Sequence, residues 1–163
     1  MSDLFEGKHM TCKLTDFGFS HLDASSRGFP LGGSPPWQAP ELMTEKFFKI
    51  ETAKRTDVYS FGLLVWRLML DGDPFEPLDS FEGETEKERR SRRNEALASL
   101  KNEDKLTDHV CKSLASSNTL NEQQLAVVLR VIRSTLSRDP SQRELDLARL
   151  IRLLSPDYWY KSR

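Results

Sequence analysis

At 163 residues, with 37% apolar and 30% charged side chains, the chain suits one domain, whose core can bury about 68–70% of the surface exposed on unfolding. Its net charge of −1 excludes a general affinity for nucleic acid or for an anionic membrane surface. Cys12 and Cys111 stand far apart, outside any ligand-like cluster, and read as reduced, partly buried thiols of a cytoplasmic or nuclear protein.

The opening residues alternate polar and apolar and lack the apolar core of a signal peptide. Thr11 to Leu14 reads as a short strand, with Leu4 and Phe5 as a partner across a turn at Gly7. Residues 19–36 are rich in Gly, Ser and Pro, show no periodic apolar face, and read as a long loop. Asp57 to Leu70 carries Val58, Phe61, Leu63, Leu64, Val65, Leu68, Met69 and Leu70. A helix so apolar all round belongs in the middle of a domain, yet Phe61–Leu70 is too short to cross a bilayer and contains Arg67. Asp71-Gly72-Asp73-Pro74 ends it.

Residues 76–94 are polar, and Arg89, Arg90, Arg92 and Arg93 lie close together. Interleaved Glu84, Glu86 and Glu88 dilute their field, which favours a solvated surface over a nuclear-import or nucleic-acid patch. Asn94 to Leu100 reads as a short amphipathic helix. Asn121 and Gln124 form a capping box ahead of Leu125, Val128, Leu129, Ile132 and Leu136 at helical spacing. Asp139-Pro140 stops that helix, and a last one runs from about Glu144 to Leu154. Tyr158-Trp159-Tyr160 reads as an aromatic tail packed on the last helix.

Two strings carry the chemistry: Lys13-Leu14-Thr15-Asp16-Phe17-Gly18 and Gly33-Ser34-Pro35-Pro36-Trp37-Gln38-Ala39-Pro40-Glu41. In this order and at this separation they resemble the two ends of a protein kinase activation segment. The resemblance implies a mainly α fold: a partial large (C-terminal) lobe of a protein-kinase-like domain over residues 1–156. Within it lie a short N-terminal β-hairpin, the activation segment at 16–41, the central helix at 57–70 and the last helices at 121–154. Residues 157–163 form a C-terminal tail.

The resemblance also implies roles. Asp16 would be a magnesium ligand bridging the ATP phosphates, with Phe17 packed beneath it and Gly18 giving the backbone freedom. Ser34, after Gly33, would stand for the Gly-Thr pair of Ser/Thr-type kinases, whose hydroxyl helps orient the catalytic Asp, and Pro36 and Trp37 would form the pocket for the residue after the acceptor, the three together making the substrate shelf. Glu41 would pair with Arg143, which follows Asp139-Pro140. Asp57 would accept hydrogen bonds from the catalytic-loop backbone, and Leu64 and Leu68 would form the foot of the apolar column beneath the adenine. Arg67 stands where many such kinases place a Glu that selects basic substrates; an Arg there would invert that preference or simply be solvated. Ser20, Ser25 and Ser26 would lie in a loop that phosphorylation could order.

The 163 residues contain no Gly-rich loop, no small-lobe Lys with its Glu, and no His-Arg-Asp catalytic loop. The expected function is therefore a kinase-domain fragment, its parent transferring phosphate from ATP to protein Ser/Thr and itself inactive alone. The alternative is a kinase-derived scaffold that binds proteins. Either way the partners are proteins, not nucleic acid or membrane. The central helix, lacking the helix that wraps it in intact kinases, would leave the fold short by about 5–10 kcal/mol if three or four large side chains lose cover.

Overall fold

The computed structural model describes residues 13–20, 28–70, 74–75 and 85–155. Among these residues, five α-helices carry the fold: α1 (Ile50–Met69), α2 (Glu86–Asn102), α3 (Leu106–Ser116), α4 (Glu122–Thr135) and α5 (Leu147–Leu153). Short 3-10 turns at Phe17–Phe19, Pro35–Trp37, Pro40–Met43 and Pro140–Gln142 punctuate the connections.

Sequence dictates most of these ends. Asn121 and Gln124 close a reciprocal capping box at the start of α4, and Thr85 with Glu88 does the same for α2. On α4, Val128, Val131 and Ile132 fall on one buried stripe; on α3, Leu106, Val110 and Leu114 repeat every fourth residue and are buried. α1 lies against α3 and α4, α4 also holds α5, and α2 packs on α3. Tyr59, Leu63, Val65 and Trp66 of α1 meet these stripes in the main core.

A smaller apolar cluster gathers Phe29, Phe48 and Ala53, with Leu31, Leu42 and Ile50 against it. Phe29 and Phe48 exchange backbone hydrogen bonds of 3.1 and 2.9 Å, which ties the long loop to the start of α1. Gly28 makes this approach possible. Its φ is +77°, and a Cβ there would lie 3.0 Å from the Phe48 carbonyl oxygen.

The structure departs from the sequence reading at several points. The N-terminal hairpin finds no support: Lys13 and Leu14 belong to no strand, and residues 1–12 lie outside the described residues, as do the loop serines Ser25 and Ser26 and the aromatic tail. α1 begins at Ile50, a full two turns before Asp57. Its first turns are polar except for Ile50 and Ala53, which the small Phe29–Phe48 cluster covers, so periodicity alone does not reveal them. α2 extends well beyond Asn94–Leu100 on both sides, because its length rests on the cap and on charged residues rather than an apolar stripe. α3 has no counterpart in the sequence reading, and α5 is shorter than Glu144–Leu154.

α1 is also less enclosed than its composition suggests. Leu64 is 45% and Leu68 69% exposed. With Phe61, Val65, Met69, Ile151 and Leu154 they line an apolar groove of about 430 Å³ between α1 and α5. Because Leu68 already faces solvent, Leu68→Lys is expected to change the urea unfolding free energy by under ~0.5 kcal/mol. The same variant should bind less of an apolar fluorescent dye, because it breaks the exposed patch. A large stability loss in the urea titration would show that Leu68 is covered.

Candidate functional site

Two residues 102 positions apart form the strongest contact in the site. Arg143 reaches Glu41 in a two-pronged ion pair, Nη1 to Oε1 at 2.6 Å and Nη2 to Oε2 at 2.8 Å. The Arg143 side chain is fully buried and that of Glu41 is 6% exposed. The remaining donors of the guanidinium go to backbone carbonyls: Nε to Ser137, Nη1 to Arg55 and Nη2 to Arg138. All five N–H groups are therefore used, and a buried charge this fully satisfied is held in one place. The ring of Tyr59 lies 4.8 Å from the guanidinium carbon. Burial raises the Tyr59 phenol well above its ordinary value. Arg55 completes the joint by donating to the carbonyls of Pro140, Ser141 and Arg143, so α1 grips the loop that presents Arg143.

The clasp fixes the end of the segment whose middle is the Ser34–Gln38 turn. Pro35 and Pro36 start a 3-10 turn, closed by the Trp37 N–H on the Ser34 carbonyl at 2.9 Å. Gln38 folds back through its side-chain amide onto the Gly33 carbonyl at 2.7 Å. The Ser34 hydroxyl caps nothing and is exposed. Trp37 meets Phe75 edge-on at 4.8 Å, and Phe75 meets Trp66 edge-on at 5.6 Å, so the turn leans on an aromatic stack rooted in the core. The Ser60 hydroxyl donates to the Trp37 carbonyl at 2.9 Å, and the Lys101 ammonium donates to those of Pro35, Pro36 and Gln38.

Asp16 precedes the Phe17–Phe19 turn with φ 59° and ψ 69°, in the left-handed region that Asp tolerates and most residues avoid. Asp16 is exposed. Phe17, expected to pack beneath it, is instead 65% exposed; among the described residues its turn joins neither apolar cluster. Asp57 is exposed on α1 and lines a cavity of about 350 Å³ with Ser20, Phe29, Leu31, Ile50, Ala53 and Lys54. Partial burial raises its carboxyl above the ordinary value. Leu64 and Leu68 lie together in the groove between α1 and α5.

No three His, Cys, Asp or Glu side chains come together as a metal site among the described residues. The donor set therefore does not fit an all-protein cage. A lone accessible carboxylate such as Asp16 does fit magnesium, which keeps its waters and takes one or two carboxylates alongside substrate phosphates. No helix among the described residues is long and apolar enough to cross a membrane.

A mainly helical lobe that carries an Ala-Pro-Glu turn clasped by a distant Arg, with an Asp-Phe-Gly turn ahead of it, has the make-up of the large lobe of a protein-kinase-like fold. Comparison with known proteins agrees. The family model of the protein kinase domain matches residues 3–146, and the chain belongs to that family. It is similar to a probable serine/threonine-protein kinase of Dictyostelium discoideum, 35% identical over 79 residues, which are 48% of this chain and 8% of that protein. Serine/threonine-protein kinase CTR1 of Arabidopsis thaliana is 37% identical over 68 residues, 40% of this chain and 8% of that protein. Dual specificity protein kinase shkA of Dictyostelium discoideum is 32% identical over 85 residues, 49% of this chain and 15% of that protein. The matched stretch thus spans a small part, at most 15%, of these three relatives. No solved structure matches.

Lys101, Ser60, Arg55 and Tyr59 escape the sequence reading. One signal for Lys101 is available: it follows buried Leu97 by one helical turn, on the inward face of α2.

Proposed function

We propose that the chain is the acceptor-binding lobe of a Ser/Thr-type protein kinase, whose whole domain transfers the γ-phosphate of ATP to protein Ser or Thr. The observation that carries this is the buried Glu41–Arg143 clasp, which holds a Gly-Ser-Pro-Pro-Trp turn open to solvent at Ser34. The family uses ATP and magnesium. Asp16 is the residue that would hold the metal, and its left-handed backbone supports a functional placement, since such conformations cluster at sites where geometry matters. Asp16 would hold magnesium there, and the ion would supply neutralisation of charge on the transferring phosphates. The chain's own contribution is to hold the acceptor turn in place through the clasp, and such positioning is where phosphoryl transfer gains its rate.

Alone, the chain is expected to incorporate no labelled phosphate into Ser/Thr peptides. Joined behind a small lobe and catalytic loop from a related kinase, it is expected to do so, and Asp16→Asn in that fusion should abolish transfer. Transfer by the isolated chain, or an unimpaired Asp16→Asn fusion, would overturn the reading. The exposed Leu64 and Leu68 favour a second reading, a kinase-derived scaffold that binds a protein through apolar surface. An inactive fusion together with retained partner binding would select it.

A further inference from the structure

Pro35 and Pro36 bring carbonyls to the acceptor turn but no N–H groups, so the turn cannot satisfy itself. Within it, the Trp37 N–H reaches Ser34 at 2.9 Å and the Gln38 N–H reaches Pro35 only at 3.4 Å. The carbonyls of residues 35, 36 and 38 converge instead on one group, the Lys101 ammonium, at 3.3, 2.9 and 2.7 Å. Lys101 is 2% exposed, and among the described residues no carboxylate pairs with it. An ammonium has three donors and no acceptor. Here every donor is spent on the same short turn.

We infer that Lys101 is a positioning residue for the acceptor turn, holding it through its proton-bearing ammonium and letting it loosen when the proton leaves. This rests on the reading of that turn as the acceptor site. A neutral amine keeps two donors and turns a lone pair toward the third carbonyl, so the set of three cannot survive deprotonation. Burial without a counter-charge lowers the Lys101 ammonium to about 8. Among the described residues, the groups that face it are the Tyr59 ring of α1 at 5.9 Å and, 4.8 Å from the same ring, Arg143. Asp104, in the turn that follows α2, acts on the Tyr59 phenol, while neighbouring Glu103 and Lys105 pair with each other in solvent.

Local hold and global stability respond to pH in opposite senses. The folded-state value lies below that of an unfolded Lys, so between about 8 and 10.5 the unfolded chain binds more protons and this group's contribution to stability rises with pH.

The test is carbon-13 spectroscopy of the full chain, following the carbonyl shifts of Pro35, Pro36 and Gln38 with pH alongside the urea midpoint. The expected result is that the three carbonyls shift together through one transition near pH 8 without a fall in midpoint across it. In Lys101→Met the same signals should be flat with pH, and the Trp37 amide should exchange about tenfold faster for loss of charge-assisted bonds. Carbonyl shifts that do not move between neutral and alkaline pH, or that move only as the whole chain unfolds, would overturn the inference. Should the Met variant not fold, the wild-type titration alone decides. A mixture of Ser- and Thr-containing peptides separates the underlying reading. Perturbation of the Trp37 indole signal below the transition and not above it supports both. No perturbation at any pH removes the acceptor reading, while the carbonyl titration still decides the hold of Lys101.

Discussion

Arg143→Met is expected to cost about 3–5 kcal/mol of unfolding free energy, the largest loss of any single substitution considered for this lobe. Methionine roughly fills the volume of the side chain's stem, so packing is nearly kept and the charge chemistry is isolated. What remains is a Glu41 carboxylate, 6% exposed, with its partner gone, and the carbonyls of Ser137, Arg55 and Arg138 without the donors that now reach them. The penalty comes from stranding these groups in the interior rather than from losing a favourable pair. Glu41→Gln should cost less, because the amide oxygen still accepts from the guanidinium. The double variant, Glu41→Gln with Arg143→Met, should therefore be less destabilised than the sum of the two singles. Urea titration of the four proteins gives the coupling directly; additive losses would mean that the two side chains do not meet in solution.

Gly62→Ala is the second large effect, expected to lower stability by about 2 kcal/mol net. On an exposed helix the same change would gain up to about 1 kcal/mol from helix propensity. Here α1 and α4 touch backbone to side chain at this position. A Cβ on Gly62 would lie 2.3 Å from Thr135 Oγ1 and 2.8 Å from Leu136 Cδ2. Thr135 cannot step aside cheaply: it is β-branched, fully buried, and donates its hydroxyl to the Val131 and Ile132 carbonyls. Overpacking therefore outweighs propensity. Thermal unfolding should shift down by about 4–8 °C for a loss of this size. An unchanged or raised midpoint would show that the two helices are spaced more widely than the structure places them.

Legibility in the sequence followed physical kind. Caps are local, and Asn121 with Gln124 announced α4 because both partners lie within one turn. The stripes of α4 are periodic and were visible for the same reason. The clasp is not local, yet its two ends sit in short strings, Ala39-Pro40-Glu41 and Asp139-Pro140-Ser141-Gln142-Arg143, that could be matched to a family pattern. What stayed hidden were elements whose support comes from elsewhere in the chain. The first two turns of α1 depend on Phe29 and Phe48, and α3 on a stripe of only three residues. Lys101 stayed hidden because a lysine among charged neighbours reads as surface, and only the fold shows that two prolines need it. Composition alone overstates the enclosure of α1, because it counts apolar residues without saying which neighbours cover them; the sequence reading also expects large side chains of this helix to lose cover, and Leu64 and Leu68 are exposed.

Tyr59 has its aromatic face shared by Lys101 and Arg143, with its hydroxyl-bearing ring 1% exposed. The ring gives each of the two buried cations a negative surface to rest on. Among the described residues the buried charge is thus uneven, the two cations Lys101 and Arg143 against the carboxylate of Glu41. Since burial raises the phenol well above its ordinary value, ionisation of this tyrosine is expected to accompany entry of solvent into the lobe, which makes the residue a built-in spectroscopic seal.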